Sequence, residues 1–209
     1  MKVFHYLIVF VFVIGCKSST QKDPVENFTE NRAHTVEKSS PFKLGDVTVK
    51  WTAFKHSTKA QVGGEFDSVF VFGFQENDDL ISAISNVGFK IPVSSTNTND
   101  KTRDYKIINS FFKILSNTDF IYGSIKKINP NGSGVLSIKM NDIEIDKDFR
   151  WDYDKNSREI FLNTSIDVLN WGAKKGLDAL NNVCLEKHTG PDGTNKLWPN
   201  VDIVVFAEL

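Results

Sequence analysis

The sequence predicts an all-β domain: an eight-stranded antiparallel barrel with two short helices. Three observations lead there. Val47, Val49, Trp51 and Ala53 alternate with Thr48, Lys50, Thr52 and Phe54, the period of a strand with one buried face. The second half of the chain repeats such runs between strong turn signals, of which Asn129-Pro130-Asn131-Gly132 is the clearest. The runs number eight in all, the count that closes into a barrel able to hold one small ligand. With 17 Phe in 209 residues, the interior of such a barrel would be unusually aromatic.

Taken in order, the chain opens on a segment outside the fold. Lys2 supplies a positive start, and Val3 to Ile14 is apolar except for His5. An apolar run this short fits a signal peptide over residues 1–15 better than a membrane-spanning helix. Gly15-Cys16 at its end resembles the lipobox of bacterial lipoproteins, so Cys16 is the expected site of lipidation. Residues 16–41 are polar and aperiodic, too poor in apolar side chains to pack, and read as a flexible tether. The domain proper then covers residues 42–209.

Within the domain, the first strand (Val47 to Phe54) passes through a polar corner to Gly63-Gly64. A second run follows, crowded with Phe66, Val69, Phe70, Val71, Phe72 and Phe74. A glycine pair inside a strand pattern suggests a bulge or sharp bend. Leu80 to Val93 reads as the third strand, with Pro92 near an end or edge because it lacks the amide hydrogen. Tyr105, Ile108, Phe112 and Leu115, widened by Ile107 and Phe111, recur at helical spacing, which predicts a helix from Asp104 to Leu115. Asp100 or Thr102 is placed to cap it. Strands are expected over Phe120 to Ile128, Val135 to Met140, Ile143 to Tyr153, Glu159 to Val168 and Val201 to Ala207. A short helix spans Ala173 to Val183, and a polar loop runs from Glu186 to Lys196.

Composition narrows the function. Basic and acidic residues balance, 25 against 26, with no basic stripe, which excludes nucleic acid as a natural partner. Cys16 and Cys184 are the two cysteines; lipidation of the first leaves the second without an intrachain partner. Of the histidines outside the leader, His34 sits in the tether, His56 in a corner and His188 in a loop. HExxH, paired-cysteine, GxSxG, Walker and GxGxxG patterns are absent, and Cys184-x-x-x-His188 alone is a weak metal hint. No catalytic or metal-binding constellation is assigned, and the expectation is a binding protein, not an enzyme. Arg103-Asp104 reads as an exposed ion pair, a helix-start charge pair or a polar gate.

Several stretches resemble the YceI-like, polyisoprenoid-binding family. These are WTAFKHSTKAQVGGEFD, IPVSSTNTNDKTRDYKI followed by Phe111-Phe112, FIYGSIKKI, GSGVLSIKMNDIEID and IFLNTSIDVLNWG, in this order from Leu44 to Leu209. The resemblance implies a lipocalin-like barrel holding a long amphipathic isoprenoid-type lipid in an internal tunnel, with no other cofactor. It also implies export beyond the inner membrane, in agreement with the signal segment. With Cys16 as the anchor and Lys17, not aspartate, after it, the protein is expected in the bacterial cell envelope, at the outer membrane facing the periplasm; a homodimer is compatible with this reading. The segment from Ala173 to Lys196 is longer than in the simplest members. On this footing the expected lining is Trp51 and Ala53 from the first strand, Phe70, Phe72 and Phe74 from the second, Phe89 and Ile91 from the third. Phe111, Phe112 and Leu115 would close the tunnel, and Arg103 would face the polar head. The alternative reading is a structural or partner-binding lipoprotein whose aromatics fill a solid core.

Overall fold

The computed structural model describes residues 41–209; the expected signal segment, Cys16 and all but the end of the expected tether lie outside the described residues. The strands are β1 (Val47–Lys55), β2 (Ala60–Phe66), β3 (Phe70–Phe72), β4 (Gly88–Pro92), β5 (Thr96–Asn97), β6 (Phe120–Asn129), β7 (Ser133–Met140), β8 (Ile143–Asp154), β9 (Glu159–Asp167) and β10 (Leu197–Glu208). The helices are α1 (Leu80–Ile84), α2 (Lys101–Ser110), α3 (Lys174–Val183) and α4 (Leu185–His188). All strands join one curled antiparallel sheet in the order β3-β4-β6-β7-β8-β9-β10-β1-β2-β5. The fold class is the one expected; the strand count is ten, not eight.

The two extra strands, β3 and β5, are the edges of the sheet and do not pair with each other. The run expected as one strand through Phe74 breaks at Asp67, giving β2 and β3 at opposite ends of the sheet. Thr96–Asn97 adds a two-residue edge strand against Glu65 and Phe66. The two ends of the sheet therefore meet through chain continuity at this corner. There the Asp67 amide donates to the Ser95 carbonyl (2.8 Å), and the Asn97 side-chain amide donates to the Asp67 carboxylate (2.7 Å).

Two further expectations are corrected. Leu80 to Val93 is not a strand throughout. Asp79 accepts from the Ser82 amide (2.8 Å) and caps α1, which buries Ala83 and Ile84; only Gly88–Pro92 is extended. A carboxylate cap ahead of apolar residues at i and i+4 favours a helical turn over a strand. Gly63-Gly64 forms no bulge either: β1 and β2 pair regularly, with Gly64 opposite Trp51. The register breaks fall instead between Ala53 and Lys55 and between Ile125 and Lys127. Gly64 is needed because a Cβ there would collide with the Trp51 indole. Three more in-register pairs repeat the device: Phe72 with Gly88, Phe89 with Gly123 and Phe149 with Gly134.

One end of the curled sheet is covered by helices. Asp100 caps α2 by accepting from the Thr102 and Arg103 amides, so the helix starts earlier than expected; it ends at Ser110, before a 3-10 turn at Phe112–Ile114. Asp104 is buried and accepts from the amide (2.8 Å) and hydroxyl (2.6 Å) of Thr98, which pins α2 to the chain after β5. α3 packs on this unit at Gly176, where a Cβ would lie 2.8 Å from the Phe111 carbonyl oxygen. Trp171, at 0% exposure, anchors the cover, donating from Nε1 to the Ile138 carbonyl (3.0 Å). Part of the loop expected over Glu186 to Lys196 is helical, as α4, and β10 begins four residues early, at Leu197.

Candidate functional site

Strand alternation sends one side chain in two to the interior. From β1 these are Val47, Val49, Trp51 and Ala53; from β9 Ile160, Leu162, Thr164 and Ile166; from β10 Val201, Ile203 and Val205. They do not meet at the centre. A cavity of about 180 Å³ lies within the sheet, reached also by Val71, Phe89, Ile91, Leu136, Phe149 and Trp151, and Thr164 is its one polar lining residue. A second cavity of about 140 Å³ lies between the sheet and the helical cover, lined by Trp51, Ala53, Ile107, Phe111, Phe112, Leu177, Leu180 and Trp198. The two share Phe66, Ile121, Met140, Ile166 and Ile203 as common wall. A third, of about 330 Å³, shares Trp51, Ala53, Ile107, Leu180 and Leu197 with the second. The three form a series along the barrel, apolar in its depth and polar at this end.

The polar end is built by the end of β1, the start of α2 and the α3–α4 segment. It carries Lys55, Arg103, Lys106 and Lys187, with Asp100 as its one carboxylate. Lys55 Nζ donates to the Lys187 carbonyl (3.0 Å), and Arg103 Nη2 lies 3.5 Å from Asp100 Oδ2. Hydrogen bonding from the Arg103 amide holds the Asp100 carboxyl below its usual range. The buried His188 ring pairs through Nδ1 with Asn181 Oδ1 (2.9 Å). Burial first, then the charges of Lys55, His56 and Lys106, push its pKa down to about 4, so it is neutral at pH 7. Trp51 Nε1 and Arg103 Nε are both buried without a hydrogen-bond partner.

Two solved structures share this architecture. A polyisoprenoid binding domain from Saccharophagus degradans, implicated in plant cell wall breakdown, aligns over 80% of this chain and 97% of its own, with TM-score 0.55 and 12% identity. BcnA from Burkholderia cenocepacia aligns over 77% and 94%, with TM-score 0.52 and 10% identity. The chain shares the fold of these two proteins. A YCEI protein from Campylobacter jejuni aligns more loosely, over 71% of this chain and 85% of its own at TM-score 0.40 and 19% identity. No family model and no curated protein matches the sequence.

Within this fold, the expected lining residues separate into groups. Phe74, Phe89 and Ile91 line the first cavity; Trp51, Ala53, Phe111 and Phe112 line the second; Arg103 lies at the polar end. Leu115 is buried under α3, behind the lining. Phe70 and Phe72 are corrected: each is 57% exposed on the outer face, and Val69 and Val71 point inward. Gly88 opposite Phe72 gives its ring an outer surface to lie on. Phe74 still reaches the interior because Gly73, at φ 77°, breaks the alternation after Phe72. Sequence reasoning missed the walls from β9 and β10, although the alternation of Val201, Ile203 and Val205 is plain in the sequence. It also missed Lys55, Lys106 and Lys187, which no spacing rule connects. Cys184 lines the polar end as a free thiol. Among the described residues no group of three or more His, Cys, Asp or Glu is placed to hold a metal.

Proposed function

We propose that this protein binds one long, isoprenoid-type lipid with its chain threaded through the barrel, and that it does so in the bacterial cell envelope. The observation carrying this is the series of cavities walled almost wholly by apolar side chains. Water gains little from such a space, whereas each buried CH₂-sized group of a chain contributes about 0.8 kcal/mol, so ten give ~8 kcal/mol before ordering costs. The likeness to a domain described as polyisoprenoid binding supports the choice of lipid. The protein acts as a carrier or store, not as a catalyst. Lipidated at Cys16, it is held by its tether at the periplasmic face of the outer membrane, within reach of membrane lipids. Organic extraction of the purified protein followed by mass spectrometry tests the binding. A stoichiometric prenyl lipid is expected; protein that is lipid-free and takes up none when offered it would instead be a structural or partner-binding lipoprotein.

A further inference from the structure

Resting on that reading, we infer that the lipid taken by this tunnel carries an anionic head group, held at the polar end by Arg103, Lys106 and Lys187. Four cationic side chains line that end against one carboxylate, and Asp100 is already engaged, capping α2 and facing Arg103. Lys106 and Lys187 have no acidic partner within 4 Å among the described residues, and Lys55 is spent on a backbone carbonyl. Gathering uncompensated like charges costs free energy unless an anion joins them.

Two further observations point to a missing acceptor. The indole N–H of Trp51 and the Nε–H of Arg103 are buried donors with no partner, and both side chains line this end. Buried donors are rarely left unpaired, and a phosphate or carboxylate supplies the acceptor atoms that both lack. The positive field is also felt by His188, which Lys55, His56 and Lys106 help to keep neutral. Three lysines outside the cluster lie over aromatic rings instead, Lys59 and Lys196 over Trp198 and Lys90 over Phe120. The cluster adjoins the apolar second cavity, sharing Trp51, Ala53 and Ile107 with it, so a chain in the tunnel brings its head to these charges.

The test uses full-length protein stripped of lipid, titrated with geranylgeranyl monophosphate and with geranylgeraniol, the uncharged alcohol of the same chain. The phosphate should bind tighter by about tenfold or more at low ionic strength, and the advantage should shrink as salt rises. In Arg103→Gln/Lys106→Gln protein that ratio should fall toward one. Lys187→Gln, at an exposed position that does not threaten folding, should lower it in part. Lys155→Gln, exposed in the β8–β9 turn at the opposite end of the sheet, should leave it unchanged. Equal affinities for the two probes in the unaltered protein would overturn the inference while leaving the lipid reading intact. So would a ratio that the substitutions do not move. Displacement of the prenyl phosphate by orthophosphate at comparable concentration would also overturn it, showing a site for soluble anions. If neither probe binds, the lipid reading falls and this inference with it.

Discussion

Ala53→Trp tests whether the chain of the lipid passes through the second cavity. Ala53 lies on the inward face of β1, beside Trp51, and lines the space of about 140 Å³ beneath α2 and α3. An indole placed there enters empty volume, so the overpacking penalty of about 1–3 kcal/mol for a filled core should be largely avoided. The barrel should melt near its original temperature. The ligand, however, loses that section of its path. Displacing about three or four CH₂-sized groups removes ~2.5–3 kcal/mol, close to a hundredfold in affinity. The assay is lipid recovered per mole of purified protein, with Kd for geranylgeraniol as the quantitative measure. Thr52→Trp, one residue along on the opposite parity, serves as the control. A folded Ala53→Trp protein that retains lipid at the original level would show that the chain avoids this cavity.

Two other outcomes follow from residues already described. The folded-state pKa of His188, about 4 against the ordinary 6.5, means that the unfolded chain takes up the proton first as pH falls. Stability should be unaffected by this group above pH 6.5 and should fall by up to ~3 kcal/mol as pH drops toward 4. Urea unfolding between pH 7 and 4.5 should therefore be steeper in pH for the unaltered protein than for His188→Gln; equal slopes would refute the assignment. The carboxylates with lowered pKa, Asp79, Asp100 and Asp192, titrate below that window. Separately, Cys16→Ala should abolish lipid labelling and membrane association yet leave the melting temperature of the domain unchanged, because residues 42–209 contain their own core. A marked drop in melting temperature would contradict that division of the chain.

Much of the architecture was legible because alternation is a local signal. The hairpins from β6 to β9 and the turn at Asn129 to Gly132 lie where turn residues and period-two patterning place them. The inward face of β1 was legible too, since Trp51 and Ala53 share parity with Val49. What failed was parity across glycines. Phe70, Phe72 and Phe74 look alike by counting, but Val71 takes the inner face and leaves Phe70 and Phe72 outside, with Gly88 opposite Phe72, and Gly73 resets the count before Phe74. Neither effect is local to the phenylalanines. Of the polar end only Arg103 was legible: Lys55, Lys106 and Lys187 join it only when the end of β1 meets α2 and α4.

The glycines also explain how a barrel so rich in aromatics can remain hollow. A ring on an inward position would ordinarily stand into the lumen and fill it, which is the solid core that composition alone suggests. Trp51, Phe89 and Phe149 instead each face a glycine on the neighbouring strand: Gly64, Gly123 and Gly134. With no Cβ in the way, each ring lies along the wall over the glycine. Glycine inside a strand is less favourable than alanine by roughly 0.5–1 kcal/mol, so three such positions give up stability that valine or isoleucine would have kept. Phe72 over Gly88 uses the same pairing on the outer face, so the device is not confined to the lumen. Inside, though, it sets the wall of both apolar cavities, Phe89 and Phe149 at the first and Trp51 at the second. A sequence selected only to stay folded would have filled those positions. One selected to admit a chain has reason to leave them as glycine.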